Sequence, residues 1–315
     1  MRHEVNFPSN GLTIAGHLYV PDNHSKGSRP AIVVGHPMGG VKEQAAAVYA
    51  QRLVREGFVS LAYDAAYQGE SGGEPRYLED PAQRAEDVRS AVSFLTTRDE
   101  VDPERIVALG ICASGGYVPF AAQTDHRIKA VATVSAACMG RMWRSGVDGK
   151  REESVVRAML DKAAVDRTNE ARGAPPHLEQ LVPATSEEAQ AFPPRTMFHE
   201  AYDYYRTPRG KHPRSANRWL FRSIDRLAQY DSYALINLIA PRPLLMIVGT
   251  EADTAHFSRE AIDSFAGPKE LYWIRGATHI DLYDRDEFVR QATTKLKAFV
   301  DEYLGGDGAA SLSSR

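Results

Sequence analysis

A recurring alternation of short apolar runs with longer helical patterns constrains this chain more than any other feature. AIVVGH (31–36), FVSLAYDA (58–65), IVALGI (106–111), IKAVATVSAA (128–137), LLMIVGT (244–250) and ELYWIRG (270–276) are too short to be buried helices. Runs of this kind mark strands covered on both faces. Between them, residues 43–56 place Val48, Leu53 and Val54 on one side, and residues 82–97 place Val88, Ala91, Val92 and Leu95 at helical spacing. Strands alternating with helices predict an α/β fold built on a doubly wound, mostly parallel sheet. A β-hairpin is expected before it, because Val5 and Phe7 alternate with polar residues and Asn10-Gly11 supplies a turn ahead of LTIAGHLYV. Gly27, Ser28 and Pro30 then mark a surface loop.

The rhythm breaks once. Between about residue 138 and residue 240 no buried strand is legible, and a stretch that long is too much for a bare loop. Val155, Val156, Met159, Leu160, Ala163 and Ala164 form one helical face, and SEEAQAF, FHEAYDYY and NRWLFRSIDRLAQY suggest further helices between Pro-rich joints. The expected organisation is therefore a core of residues 1–137 and 241–304, a helical cap inserted at 138–240, and a disordered tail at 305–315.

Composition narrows the function classes. A net charge of −3 over 315 residues gives no reason to expect nucleic acid or an anionic membrane as a partner. The N-terminus shows no apolar secretory segment, and no run reaches a transmembrane length. Cys112 and Cys138 are the two cysteines, too few for a disulfide framework, so a reduced, cytoplasmic setting is expected. No Cys/His cluster has zinc spacing and no phosphate-binding glycine pattern occurs, so neither metal nor cofactor is expected. The partner expected is a small-molecule acyl substrate, and a homodimer stays open.

The stretch ALGICASGGYV (108–118) carries the chemistry. A buried strand ends at Gly110, and a turn of small residues leads into a helix, the setting of a nucleophile elbow. Small residues must stand two before and two after the nucleophile. Cys112 meets this with Gly110 and Ser114, and Ser114 meets it with Cys112 and Gly116. The strand favours Cys112, because the glycine of such an elbow follows the last strand residue directly. An ordinary thiol, with a pKa of about 8.5, is mostly protonated at neutral pH, and a helix N-terminus with a nearby histidine can activate it. The bland alternative for Cys112 is a buried structural thiol.

Among ten histidines, His279 fits the general base, since RGATHIDLYD follows the last strand and precedes the C-terminal helix. The acid should follow LLMIVGT, where GTEADTAHF offers Asp253, the favoured residue, and Glu251; Asp281 is a weaker alternative. Asp253 could equally be a helix cap or a solvated carboxylate. GHPMGG (35–40) follows the first parallel strand, and the backbone N–H groups of Met38 and Ala113 are the expected oxyanion donors. Tyr67, Trp143, Trp219 and Phe221 could line an acyl pocket under the cap or simply pack there.

GHPMGGVKEQ (35–44), DAAYQGESGGEPR (64–76), GICASGGY (110–117), PRPLLMIVGTEADT (241–254) and GATHIDLYD (276–284), in that order, resemble the YcjY-like branch of the α/β hydrolases. That branch is related to dienelactone hydrolases and to fungal polyketide transferases, also called thiohydrolases. The resemblance implies an α/β-hydrolase fold, a triad of Cys112, Asp253 and His279, and an ester, thioester or lactone substrate. It does not reach the cap, so it leaves the substrate unnamed. Two rivals stand beside acyl hydrolysis or transfer: a small-molecule binding protein on a hydrolase scaffold, and a peptidase of the Xaa-Pro type.

Overall fold

The computed structural model describes residues 1–22 and 28–305. Gly27 of the expected surface loop and all but Gly305 of the expected tail lie outside the described residues.

The strands are β1 (Arg2–Ser9), β2 (Leu12–Tyr19), β3 (Arg29–Gly35), β4 (Val59–Tyr63), β5 (Val101–Ile111), β6 (Ala130–Val134), β7 (Leu244–Gly249) and β8 (Lys269–Ile274). They form one sheet in the order β1-β2-β4-β3-β5-β6-β7-β8. β1 and β2 are an antiparallel hairpin, turned by Asn10 at φ 47° and Gly11 at φ 78°. β2 joins β4 antiparallel, and from β4 onward the pairings are parallel. The central strands are buried along their whole length, as their continuous apolar runs require.

Helices α1 (Ala45–Arg55), α2 (Pro81–Thr96) and α3 (Ser114–Ala122) follow β3, β4 and β5. The start of α2 is set by Asp80, whose side chain accepts the N–H of Ala82, with Pro81 in the first turn. After β6 come α4 (Met139–Ser145), α5 (Glu153–Ala171), α6 (Ser186–Ala189), α7 (Met197–Arg206) and α8 (Ile224–Gln229), all before β7. The core closes with α9 (Ala255–Ser264), α10 (Asp281–Asp284) and α11 (Asp286–Leu304). α2 packs with α3, and α1 packs with α11, so each pair shares a layer against the sheet.

Two details of the inserted segment depart from the expected helical pattern. NRWL is not helical: Arg218–Leu220 is a short strand paired antiparallel with Leu178–Gln180. The Trp219 side chain is buried from this strand, so its apolar signal came from burial rather than helical period. The apolar face of α5 is also narrower than its sequence suggested. Val156 and Ala163 are buried, whereas Val155 is 47% exposed and Ala164 is exposed too.

At the end of β5 the backbone passes close to itself. A Cβ on Gly110 would lie 2.0 Å from the Ser114 carbonyl oxygen and 2.7 Å from the Gly115 nitrogen. Both obstacles are backbone, so a side chain there must displace the first turn of α3. Gly110→Ala is expected to destabilise the fold by about 3 kcal/mol or more. Urea unfolding of the variant beside the parent reads this, and an unchanged midpoint would show that the turn can relax.

Candidate active site

Cys112 is the first residue after β5 and holds φ at 55°, a conformation that side-chain-bearing residues adopt rarely. Its N–H donates to the Val134 carbonyl at 3.0 Å, and its carbonyl accepts the N–H groups of Gly115 at 2.8 Å and Ala137 at 3.0 Å. The neighbouring strand end and the first turn of α3 thus clamp the backbone of the turn from both sides. The thiol faces a cavity while the residue as a whole is only 7% exposed. Ser114, the other nucleophile weighed, has its hydroxyl committed elsewhere. It donates to the His36 carbonyl at 2.6 Å and accepts from Arg84 at 3.4 Å.

His279 is buried on the loop between β8 and α10. Its carbonyl accepts the Ser135 hydroxyl at 3.0 Å, tying the loop to the end of β6. Its Nδ1 lies 2.6 Å from the Thr254 hydroxyl and its Nε2 lies 3.1 Å from the Tyr283 hydroxyl. Tyr283, Cys112 and Tyr205 line one cavity, where the Tyr283 hydroxyl interacts with the thiol and with the Tyr205 hydroxyl. The polar atoms therefore run from Cys112 through Tyr283 and His279 to Thr254.

None of the three carboxylates considered from the sequence bonds the imidazole. Asp253 turns toward the inserted segment, where its Oδ2 accepts the N–H of Met197, the first residue of α7, at 3.1 Å. Thr254, one residue on, faces the ring instead. It stands at the N-cap of α9 yet makes no side-chain cap hydrogen bond, because its hydroxyl is taken by His279. Asp281 accepts the Thr278 N–H at 3.1 Å and faces Arg285 and Arg209. Glu251 is exposed. The acid expected at Asp253 is thus displaced by a neutral hydroxyl, since the turn after β7 directs successive side chains to opposite sides.

Burial without a charged partner sets the protonation states. Desolvation holds the His279 imidazole down at about 3. Desolvation pushes the Cys112 thiol up to about 11, although the Tyr283 hydroxyl, the Ala113 N–H and Arg84 all pull the other way. The resting pair at neutral pH is thiol and neutral imidazole.

The loop after β3 forms the opposite wall. Met38 lines the cavity beside Cys112, and its N–H makes no hydrogen bond among the described residues. The Ala113 N–H points at the sulfur. His36 anchors this loop: Nε2 accepts the Ala65 N–H at 3.0 Å, which leaves the proton on Nδ1, donated to the Pro37 carbonyl at 2.7 Å. Burial first, and the Arg84 guanidinium second, keep His36 neutral by lowering its pKa well below the usual range. Buried Arg84 faces Glu79 at 3.3 Å, and buried Lys42 binds Asp64 at 2.9 Å. Both charges are paired, as burial demands.

The cavity beside Cys112 holds about 70 Å³ and is walled by Met139, Met142, Met197, Trp143, Phe198 and Leu181 among others. Of the four aromatics considered for an acyl pocket, Trp143 lines this cavity. Trp219 stacks behind it at 4.4 Å, Phe221 packs on Trp219 at 5.7 Å, and Tyr67 lies elsewhere. A larger cavity of about 650 Å³ shares Met142, Trp143 and Phe198 with the inner one and has a charged rim of Asp148, Lys150, Arg151 and Glu152. Cys112 lines the smaller cavity and not the larger one, Asp253 lines the larger one, and His279 lines neither.

Tyr283 and Thr254 were missed from the sequence. Tyr283 is four residues after His279, a spacing that stacks side chains once a helical turn forms. Thr254 had only its helix-capping position to mark it.

Residues 14–136 match the dienelactone hydrolase family. The YcjY protein of Escherichia coli (strain K12) is 35% identical over 96% of this chain and all of its own. The chain is a dienelactone-hydrolase-family protein of the YcjY-like group. The crystal structure of PA2218 from Pseudomonas aeruginosa superposes on this α/β hydrolase with a TM-score of 0.89, at 36% identity over 96% of this chain and 93% of that one. A protein of Arthrinium phaeospermum named thiohydrolase apmlB is 30% identical over 88% of each chain. No helix among the described residues of this hydrolase is long and apolar enough to cross a membrane.

A neutral resting pair has a measurable consequence. Carbamidomethylation of Cys112 by iodoacetamide, followed by peptide mass spectrometry, is expected to be slow at pH 7 and to accelerate steadily toward a midpoint near the thiol's value of about 11. A plateau already reached below pH 6 would instead show a thiolate–imidazolium pair at rest and overturn this assignment.

Proposed function

We propose that this hydrolase moves acyl groups from an ester or thioester to water or another nucleophile, through a thioester formed on Cys112. The observation that carries this reading is the placement of the Cys112 sulfur, at a positive-φ turn, facing an apolar cavity beside the Ala113 N–H and the Met38 loop. His279 serves as base and later as acid, and Thr254 holds its Nδ1. As sulfur attacks, the carbonyl oxygen gains charge, which the N–H groups of Met38 and Ala113 are disposed to receive.

The cavity walls indicate what is bound. Methionine and aromatic side chains around about 70 Å³ favour a short apolar acyl group, and methionines can move to admit somewhat more. The outer cavity of about 650 Å³ accommodates the leaving group or the acceptor. A relative bearing the name thiohydrolase supports a thioester as one substrate class.

Without a carboxylate at Nδ1, the imidazolium formed in the reaction gains a neutral hydrogen bond only. That bond is worth about 1.4 kcal/mol, or roughly tenfold in rate. With p-nitrophenyl butyrate as probe, Cys112→Ala is expected to lose both turnover and the butyryl mass adduct. Thr254→Val should lower kcat about tenfold, and Asp253→Asn should lower it less. Full turnover by Cys112→Ala would sink the proposal. A greater loss in Asp253→Asn than in Thr254→Val would return the supporting role to the carboxylate.

A further inference from the structure

Tyr283 stands between the two groups that the reaction must couple. Among the described residues no hydrogen bond joins the Cys112 sulfur directly to the imidazole. His279 Nε2 is 3.1 Å from the Tyr283 oxygen, and Tyr283 lines the same cavity as Cys112, where its hydroxyl interacts with the thiol. A phenol both donates and accepts, so it can take a proton at oxygen while releasing its own. The ring has little freedom to leave this position. It is 1% exposed and packs edge-on against Tyr204 at 5.1 Å and Tyr205 at 6.4 Å, both from α7. Tyr283 stands in α10 and His279 two residues before that helix begins, so the turn into α10 brings the two side chains together. A phenylalanine would fill the same volume, so the hydroxyl is the part that packing does not explain.

Resting on the reading of Cys112 as nucleophile, we propose that Tyr283 is a catalytic residue that passes the thiol proton to His279 and later delivers it to the leaving group. In the first step the S–H proton moves to the Tyr283 oxygen as the Tyr283 hydroxyl proton moves to Nε2. The freed sulfur electron pair forms the S–C bond, and the carbonyl π pair goes to oxygen. In the second step that pair returns and breaks the bond from carbon to the leaving oxygen or sulfur. The departing group takes the Tyr283 hydroxyl proton, and Nε2–H reprotonates the phenol oxygen. Thiol and ester become enzyme thioester and alcohol, with no proton left over. Burial holds the Tyr283 hydroxyl well above the usual tyrosine range, so the phenol exchanges protons without resting as an anion.

The test is pre-steady-state release of p-nitrophenol from p-nitrophenyl butyrate by the parent, Cys112→Ala, His279→Ala, Tyr283→Phe and the Tyr283→Phe/His279→Ala pair. A relay requires Tyr283→Phe to slow the burst by at least about 100-fold with KM little changed. It also requires the double variant to be no slower than His279→Ala alone, since the two residues act as one path. Should Tyr283→Phe fail to fold, 3,5-difluorotyrosine at the position keeps the hydroxyl and its shape, and the lower phenol pKa must change the burst rate. A burst within about threefold of the parent in Tyr283→Phe, or losses that simply add in the double variant, would overturn the relay while leaving the nucleophile in place. A burst that survives in Cys112→Ala would remove the underlying reading instead.

Discussion

Everything at this site hangs on the contact between Gly110 and the backbone of Ser114 and Gly115. With no side chain at Gly110, the first turn of α3 can fold back against the end of β5. Only then can Cys112 be held at φ 55°, with its N–H and carbonyl bonded to β6 and its flanks. Such a backbone costs about 1–3 kcal/mol, and it persists because the surrounding hydrogen bonds over-determine it. What it provides is direction: the Cys112 side chain leaves the carboxyl end of a central strand and lines the cavity, while Ser114 two residues later bonds the His36 carbonyl just past β3. The same turn aims the Ala113 N–H at the sulfur. The proposed nucleophile and one proposed oxyanion donor thus come from one local geometry.

The electrostatics run against early ionisation. Both Cys112 and His279 are desolvated, and neither has a charged partner in contact. Low dielectric penalises the thiolate and the imidazolium separately, so the proton stays on sulfur until a substrate carbonyl can share the charge. A carboxylate on Nδ1 would shift that balance, and the structure places a threonine hydroxyl there. The consequence is a thiol that rests protonated at neutral pH. Charges are nevertheless present nearby. Arg84 with Glu79, and Lys42 with Asp64, are paired structural groups that hold the loop carrying Met38.

The inserted segment is tied to both walls of the site. Ser215 donates to the Gly39 carbonyl at 2.7 Å and Gln44 donates to the Gly210 carbonyl at 2.7 Å, which joins it to the Met38 loop. Glu200 accepts the Thr278 hydroxyl at 2.6 Å and Arg209 bonds Asp284 at 2.7 Å, which joins it to the histidine loop. α7 carries one of these ties through Glu200, and it also supplies Tyr205, Met197 and Phe198 to the cavity. Changes in this segment therefore alter the cavity beside Cys112 and the surroundings of Tyr283 together.

The amino-acid sequence by itself determined the framework. Apolar runs of strand length between helical patterns dictate a buried parallel sheet, because no other arrangement covers both faces of such strands. The spacing around Gly110 and Cys112 and the place of His279 after the last strand were legible for the same reason: strand ends and tight turns have local rules. What only the tertiary structure decided lies in loops and long-range packing. Whether Asp253 or Thr254 meets the imidazole depends on the path of an irregular turn, where side-chain direction has no period to read. The strand Arg218–Leu220 forms because a partner 38 residues away in sequence, Gln180 facing Arg218, reaches it. Tyr283 becomes part of the site only once α10 winds beneath the sulfur. Local sequence specifies local geometry, whereas these contacts are set by where distant segments come to rest.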